Sequence, residues 1–366
     1  MADVAYLKNL KTQLEGKKVC IFAMGLVGRA LRDKLDTLGI HIDFFCDNNE
    51  SLWNTSYHGT ECISYPQLLE MNPDDVVVLI ASGSFYSAIK EQLFRDGFRN
   101  CVRVFIEKIY AEEYIREHED DLQERIDKVI GILEDEKSRK VYRHLTDFWK
   151  MMDTPDDYFR EICSANQYFD QEIIRANHTG GGVFVDCGAY IGDSAKEFIK
   201  SCHGNFQKMH LFELDPDIYK ELLSNAADLQ RNSDGIILCY PYGVSNRNQE
   251  ITFMHGESNS SINDAIAAAN GKSEELIGKI KKLDDILVDE EVTFIKMDIE
   301  GAEHDALEGA RKIIACQKPI LAICIYHSPE DMLELPVFIK SLHPEYKIYI
   351  RHYTDMMYET VCYAIP

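Results

Sequence analysis

Basic residues are scarce in this chain. Its 39 lysines and arginines stand against 62 aspartates and glutamates, for a formal net charge of −23. A nucleic-acid backbone calls for a cationic face, and so does an anionic membrane surface, so neither partner class is expected. A local basic pocket remains compatible with that total. Long apolar runs are also missing, and none approaches the roughly 20 residues that a spanning helix needs. The opening segment "MADVAYLKNLKTQLEGKK" lacks the apolar core of a secretory signal. No CxxC pair occurs. The 11 cysteines are scattered, many of them inside apolar runs (Cys20, Cys46, Cys187, Cys239, Cys324 and Cys362). That usage predicts buried free thiols and a cytoplasmic location.

What is present is a repeated alternation of strand-like and helix-like segments, over a length of 366 residues that predicts about two domains. Residues 1–107 form the first unit. "KVCIFAM", "HIDFFCD" and "DDVVVLIAS" read as strands, while "GLVGRALRDKLDTLG" and "SAIKEQLFRDGF" read as helices, with Gly39 stopping the first helix. Residues 108–160 are charge-rich. Leu122, Ile126, Val129, Ile130 and Leu133 share one helical face, and Val141, Leu145, Phe148, Trp149 and Met152 share another. Two amphipathic helices follow, either packed on a neighbouring domain or forming the interface of a homodimer. Residues 161–366 form the second unit, with strands in "GVFVDCG", "KMHLFELD", "GIILCYPYGVS", "EVTFIKMDIEG" and "PILAICIYH". The end, "YKIYIRHYTDMMYETVCYAIP", reads as an antiparallel hairpin at a sheet edge. The predicted fold is therefore α/β, with two Rossmann-like parallel-sheet domains joined by a helical segment.

The chemistry concentrates in the second unit. In "VFVDCGAYIGDSAKEFI" an apolar strand ends at Asp186, Gly188 and Gly192 follow, and a helix begins. Ligands of open parallel sheets sit beyond the C-terminal strand ends, and glycines let them approach the backbone. The next strand ends at Glu213, a carboxylate placed to hold the two hydroxyls of a ribose. The loop spacing is D-x-G-x-x-x-G, and its leading acid would repel a pyrophosphate. A ribose-bearing cation fits better, which favours S-adenosylmethionine over NAD. Asp298 and Glu300 follow the "FIKM" strand, Glu303 begins a helix, and His327 follows "ILAICIY". These strand ends converge above the donor.

At this point "FVDCGAYIGD", "LFELDP", "LDDIL" and "IKMDIEGAEHDALEGA" together resemble the FkbM-type methyltransferases, over roughly residues 161–366. The resemblance implies a Rossmann-like fold and S-adenosylmethionine-dependent methylation, mainly O-methylation of sugars or polyketide-type products. It implies a donor site at Asp186, Gly188, Ala189, Tyr190, Gly192, Glu213, Leu214 and Asp298. The family often has Glu-Pro after the second strand, where this chain has Glu213-Leu214-Asp215-Pro216. The ribose contact is therefore Glu213 or Asp215. Asp298, Glu303 and His327 are expected to face the acceptor, with His327 as the proton acceptor because its ordinary pKa suits neutral pH. Glu300, Ser260, Ser261 and His352 are candidates to touch the acceptor, and Gln167 or Tyr168 to cap the donor. Asp298, Glu303, His327 and His352 would make an oxygen/nitrogen set for a divalent metal. No tight ligand spacing supports one, and no metal site is assigned.

The first unit has its own fingerprint. In "FAMGLVGRAL", Ala23 stands at the first glycine position, Gly25 and Gly28 hold the others, and Asp47 ends the next strand. This resembles the nucleotide-sugar-binding half-Rossmann domains fused to some sugar-modifying enzymes. A nucleotide or nucleotide-sugar is the expected ligand there, and a domain without one is the alternative. Two competing functions remain open from sequence: an NAD-dependent oxidoreductase using that fingerprint, and a non-catalytic nucleotide sensor.

Overall fold

The computed structural model describes residues 6–81, 85–151, 153–174, 181–254 and 275–366. The first unit begins with helix α1 (Tyr6–Leu14), followed by β1 (Lys18–Phe22), α2 (Leu26–Thr37), β2 (Phe44–Asp47), β3 (Ser56–Tyr57), β4 (Thr60–Ser64), α3 (Tyr65–Leu69), β5 (Val76–Ile80), α4 (Tyr86–Arg95) and β6 (Cys101–Arg103). The strand order is β3-β4-β2-β1-β5-β6, parallel except where the short β3 runs against β4. All of β5 is buried, as a parallel strand covered on both faces must be. Helix α2 stops where the sequence predicts. Gly39 takes φ +70°, and the amide of Ile40 returns to the carbonyl of Leu35.

Three helices follow: α5 (Ile106–Glu117), α6 (Leu122–Ile132) and α7 (Glu136–Lys150). The apolar faces of α6 and α7 are buried within the chain, against the second unit. Leu122, Ile126, Val129, Val141, Leu145, Phe148 and Trp149 join the same core as Ile348, Ile350 and Cys362. Met152 lies outside the described residues. Each such side chain contributes about 1.5–3 kcal/mol on burial. Asp135 caps α7 by accepting from the amide of Ser138, and its other oxygen accepts from Arg351 Nη2 at 2.7 Å. One carboxylate thus starts the helix and ties it to the sheet.

The second unit contains β7 (Val183–Cys187), α8 (Asp193–Ser201), β8 (Lys208–Phe212), α9 (Pro216–Arg231), β9 (Ile236–Tyr240), β10 (Gly243–Val244), β11 (Gln249–Met254), β12 (Glu275–Lys281), α10 (Leu283–Ile286), β13 (Val292–Met297), α11 (Glu303–Gly309), α12 (Arg311–Gln317), β14 (Ile320–Cys324), α13 (Pro329–Leu342), β15 (Lys347–His352) and β16 (Thr360–Ile365). Its main sheet has seven strands in the order β15-β16-β14-β13-β7-β8-β9. Five run parallel, and β16 runs antiparallel to both β14 and β15. The expected terminal hairpin is β15–β16. Connections leave β7 toward β8 on one side while β13 lies on the other, so the topological switch point falls between β7 and β13.

One element departs from the sequence reading. "GIILCYPYGVS" is not one strand. It breaks after Tyr240, and Gly243–Val244 joins a small sheet of order β10-β12-β11. Gly243 and Gly278 let that sheet press against Leu214, whose side chain would clash with a Cβ at Gly278. The charged stretch of β12 conceals this strand in the sequence. Cys20, Cys46, Cys187, Cys324 and Cys362 are buried free thiols, and Cys239 is half-buried. Among the described residues no helix is long and apolar enough to cross a membrane.

Candidate active site

A cavity of ≈ 880 Å³ opens at the switch point, lined among others by Gly188, Tyr190, Glu213, Leu214, Asp298 and Glu300. Its floor is the loop after β7. Gly188 has φ +79°, and a Cβ there would lie 1.9 Å from the carbonyl oxygen of Asp298, so only glycine fits. The amides of Gly188 and Ala189 donate to the carbonyl of Phe212 at 3.1 and 2.9 Å. Gly192, at φ +89°, opens α8. Tyr190 also sits in the left-handed region, at φ +47°, although it is not glycine. Such a conformation costs on the order of 1 kcal/mol and marks a position held by its surroundings. The hold is Glu213, whose Oε2 accepts from the Tyr190 amide at 3.0 Å while Oε1 accepts from the Asp215 amide at 2.9 Å. Burial raises the Glu213 carboxyl to about 6 against the pull of those two donors.

The two acids at the second strand end differ in placement. Asp215 caps α9, with Oδ1 accepting from the amides of Asp217 and Ile218 at 2.9 and 3.2 Å, and Pro216 stands at the first helical position. Glu213 lines the cavity, and so does Leu214. Ala189 is buried and Gly192 opens α8, so neither of these expected donor-site residues lines the cavity.

Asp186 requires a correction. The sequence places it in the donor site, but it is wholly buried and does not line the cavity. Its Oδ1 lies 3.0 Å from Lys296 Nζ, and Ser194 Oγ donates to its Oδ2. Lys296 is its direct neighbour in the β7–β13 register. Burial raises the Asp186 carboxyl, and Lys296 opposes that. Lys296 also donates to the carbonyl of Gly188 at 2.7 Å. The pair therefore holds the glycine loop from inside, and sequence reasoning missed Lys296 altogether. The lysine inside the apolar run "FIKM" was the available signal.

Beside the glycine loop, the strand-end acids gather around His327. Its Nε2 lies 3.2 Å from Asp298 Oδ1 and 3.3 Å from Glu303 Oε1, and its Nδ1 lies 3.6 Å from Glu300 Oε2. Burial works against a charged ring, but the carboxylates of Glu303 and Asp298 outweigh it and raise the His327 pKa well above the ordinary value. Its neighbours thus favour the charged ring, which counts against the proton-acceptor role that rested on an ordinary pKa. Asp298 is held far below the usual carboxylate range. Burial opposes this, but His327, Lys296 and the Tyr168 hydroxyl at 2.7 Å prevail. Tyr326 donates to the other oxygen of Asp298 at 3.2 Å.

Placement separates the predicted residues into two layers. Asp298 and Glu300 line the cavity. His327 stands behind Asp298. Glu303 is fully buried, its Oε1 accepting from the Ile299 amide at 2.8 Å, so it does not face an acceptor as expected. His352 lies elsewhere: its Nδ1 shares a 2.8 Å hydrogen bond with Thr360 Oγ1, and its ring packs on Phe159. It therefore joins neither the acceptor site nor a metal set. Ser260 and Ser261 lie outside the described residues. Gln167 and Tyr168 both line the cavity, and Gln167 donates to Glu359, a further acid at the rim. Glu300 occupies the left-handed region at φ +57°, beside Gly301 at φ +94°. Asp298, Cys324 and His327 bring ligand-type atoms within 4.8 Å of one another. Tyr168, Tyr326 and His327 already engage the two oxygens of Asp298.

In the first unit, Asp47 makes the same clip as Glu213. Its Oδ2 accepts from the Met24 amide at 2.7 Å and its Oδ1 from the Asn49 amide at 2.8 Å. Ala23 takes φ +81°, and Gly28 packs so tightly that a Cβ would lie 2.0 Å from the Ala23 carbonyl oxygen.

A sheet whose five parallel strands carry a reversed strand beside the last, with a glycine loop over the switch point and an acid clipping it from the next strand, is a methyltransferase-like α/β fold. Residues 186–354 match the sequence profile of the Methyltransferase FkbM domain. That match lies within the C-terminal unit and covers somewhat less than half of the chain. The crystal structure of a methyltransferase FkbM from Methylobacillus flagellatus KT aligns with a TM-score of 0.74 at 22% identity, over 100% of this chain and 97% of that one. At that identity the likeness shows a shared fold across both units. A precorrin-6y C5,15-methyltransferase from Geobacter metallireducens GS-15 aligns over 56% of this chain and 92% of its own, at 11% identity and a TM-score of 0.31. Aeropyrum pernix fibrillarin, solved with S-adenosyl-L-methionine, aligns over 51% and 68%, at 11% identity and a TM-score of 0.30. Similarity that low carries no argument. No curated protein matches the sequence significantly.

Proposed function

We propose that the C-terminal unit transfers the methyl group of S-adenosylmethionine to a hydroxyl of a sugar or another small molecule. The observation that carries this reading is the cavity itself, which gathers the glycine loop, Glu213, Asp298 and Glu300 in one lining. The donor set fits the cofactor. Gly188 lets the loop lie directly against the Asp298 backbone at the cavity wall, Glu213 offers a buried carboxylate to the ribose hydroxyls, and the acidic lining suits a cation. Tyr190 and Leu214 would flank it. When bound, S-adenosylmethionine supplies a methyl group already activated on a sulfonium, so the chain's part is alignment and proton removal.

Within that reading the roles shift outward from His327. Asp298, locked by Tyr168, Tyr326 and His327, orients the acceptor hydroxyl. Glu300 takes its proton, because burial raises its carboxyl toward the range in which a base is useful. His327 is a positioning residue that holds both acids through its charge. Methyl transfer to a panel of glycosides and other alcohols, read by mass spectrometry, tests the reading. Wild type should yield O-methyl products, and Glu300→Gln should lower kcat by about 10²-fold or more with KM little changed. Products methylated on nitrogen, or undiminished turnover in Glu300→Gln, would overturn it.

A further inference from the structure

A second cavity, of ≈ 480 Å³, lies between α1, α4, the end of β6 and the segment Asp153–Asp156. In a chain of net charge −23 this cavity gathers three cations, Lys90, Arg103 and Lys108, against two acids, Asp153 and Asp156. Arg103 is the informative residue. Its guanidinium lies over the rings of Tyr86 and Phe105, 4.5 and 4.6 Å from their centroids. Its side-chain hydrogen bond goes to Met356 Sδ at 3.4 Å, and among the described residues no carboxylate forms an ion pair with it. Burial pulls its pKa down, and the carboxylates of Asp156, Asp355 and Glu107, none of them in an ion pair with it, oppose that only in part. Lys90 sits beside it, 5.1 Å from the centroid of the same Tyr86 ring, and reaches Asp156 at 3.3 Å. Lys108 is almost wholly buried and donates to the carbonyl of Met151 at 2.8 Å and to Thr154 Oγ1 at 2.6 Å, fixing the far wall.

A partly desolvated guanidinium without a carboxylate is costly unless an anion completes it. Its planar fork matches phosphate oxygens, and a neighbouring ammonium adds a point charge. The cavity is of the size that holds small ligands, and the rings of Tyr6 and Tyr86 provide an organic wall. Gly25, Gly28 and Asp47 do not line it. We propose that this cavity is a binding site for a small organic phosphate, held by the Arg103 fork and Lys90. The site is separate from the methyl-transfer cavity, and the proposal stands whether or not that reading does.

The test is calorimetry on the full-length protein with three probes: inorganic phosphate, glucose 1-phosphate and uridine monophosphate. At least one organic probe should bind with Kd below about 1 mM at moderate salt, and more tightly than inorganic phosphate. Arg103→Gln should weaken it about tenfold or more, and Lys90→Gln several-fold, with S-adenosylmethionine affinity unchanged. If Arg103→Gln does not fold, Lys90→Gln on its half-exposed helix face decides the matter. No saturable binding of any probe overturns the proposal. So does binding that is indifferent to both variants, binding of inorganic phosphate as tight as of the organic probes, or binding lost in Asp47→Asn instead.

Discussion

Replacing Lys296 with methionine should unfold this protein far more readily than an ordinary core substitution. Asp186 is wholly buried and Lys296 is 3% exposed, and their charges lie 3.0 Å apart. Methionine keeps most of the volume and removes the charge. Asp186 then retains the Ser194 hydroxyl but loses its cation, and the carbonyl of Gly188 loses its donor. Breaking a buried pair in this way costs about 3–5 kcal/mol, a large part of the stability of most domains. Adding Asp186→Leu should recover most of the loss, because an apolar pair of similar volume is often neutral or stabilising. Urea denaturation of wild type, the single variant and the double variant measures both. A single-variant cost below about 1 kcal/mol, or a double variant no more stable than the single, would refute the structural role assigned here.

Three further outcomes follow from the same geometry. Gly188→Ala forces a Cβ to 1.9 Å from the Asp298 carbonyl oxygen at φ +79°. Its donor affinity should collapse together with a lower melting temperature, and a silent substitution would show that the loop relaxes. Glu213, raised to about 6, is half-protonated near that pH. Donor affinity measured from pH 5 to 8 should therefore fall as pH drops through about 6, and Glu213→Gln should flatten the profile. The folded-state pKa of His327 lies above its unfolded value. Its contribution to stability is thus complete below about 6.5 and is lost as pH rises through the raised value. Denaturation of His327→Gln should show its largest deficit at mildly acidic pH, and a deficit that grew with pH would contradict the charged ring.

Local signals carried most of the fold into the sequence. The strand–glycine–helix stretch at 183–199 and the Asp-Pro start of α9 are short-range patterns, and the backbone obeys them. The same Asp-Pro pair could have settled Glu213 against Asp215, because aspartate before proline is a helix start. What escaped was cross-strand and cross-unit. The partner of Asp186 lies on β13, and only the register of two parallel strands places Lys296 beside it. His327 is legible as a strand-end histidine, but its three carboxylate neighbours come from a separate strand loop and helix. His352 and Arg351 are adjacent in β15, yet one serves Thr360 and the other Asp135, which no periodicity reveals.

Glu213 and the glycine loop are proposed to hold a methyl donor. Calorimetric titration with S-adenosylmethionine, S-adenosylhomocysteine and NAD, on wild type and Glu213→Ala, tests it most directly. Micromolar binding of the first two is expected, weakened by at least about tenfold in the variant, with no heat from NAD. Binding of NAD alone, or donor binding unchanged in Glu213→Ala, would contradict it.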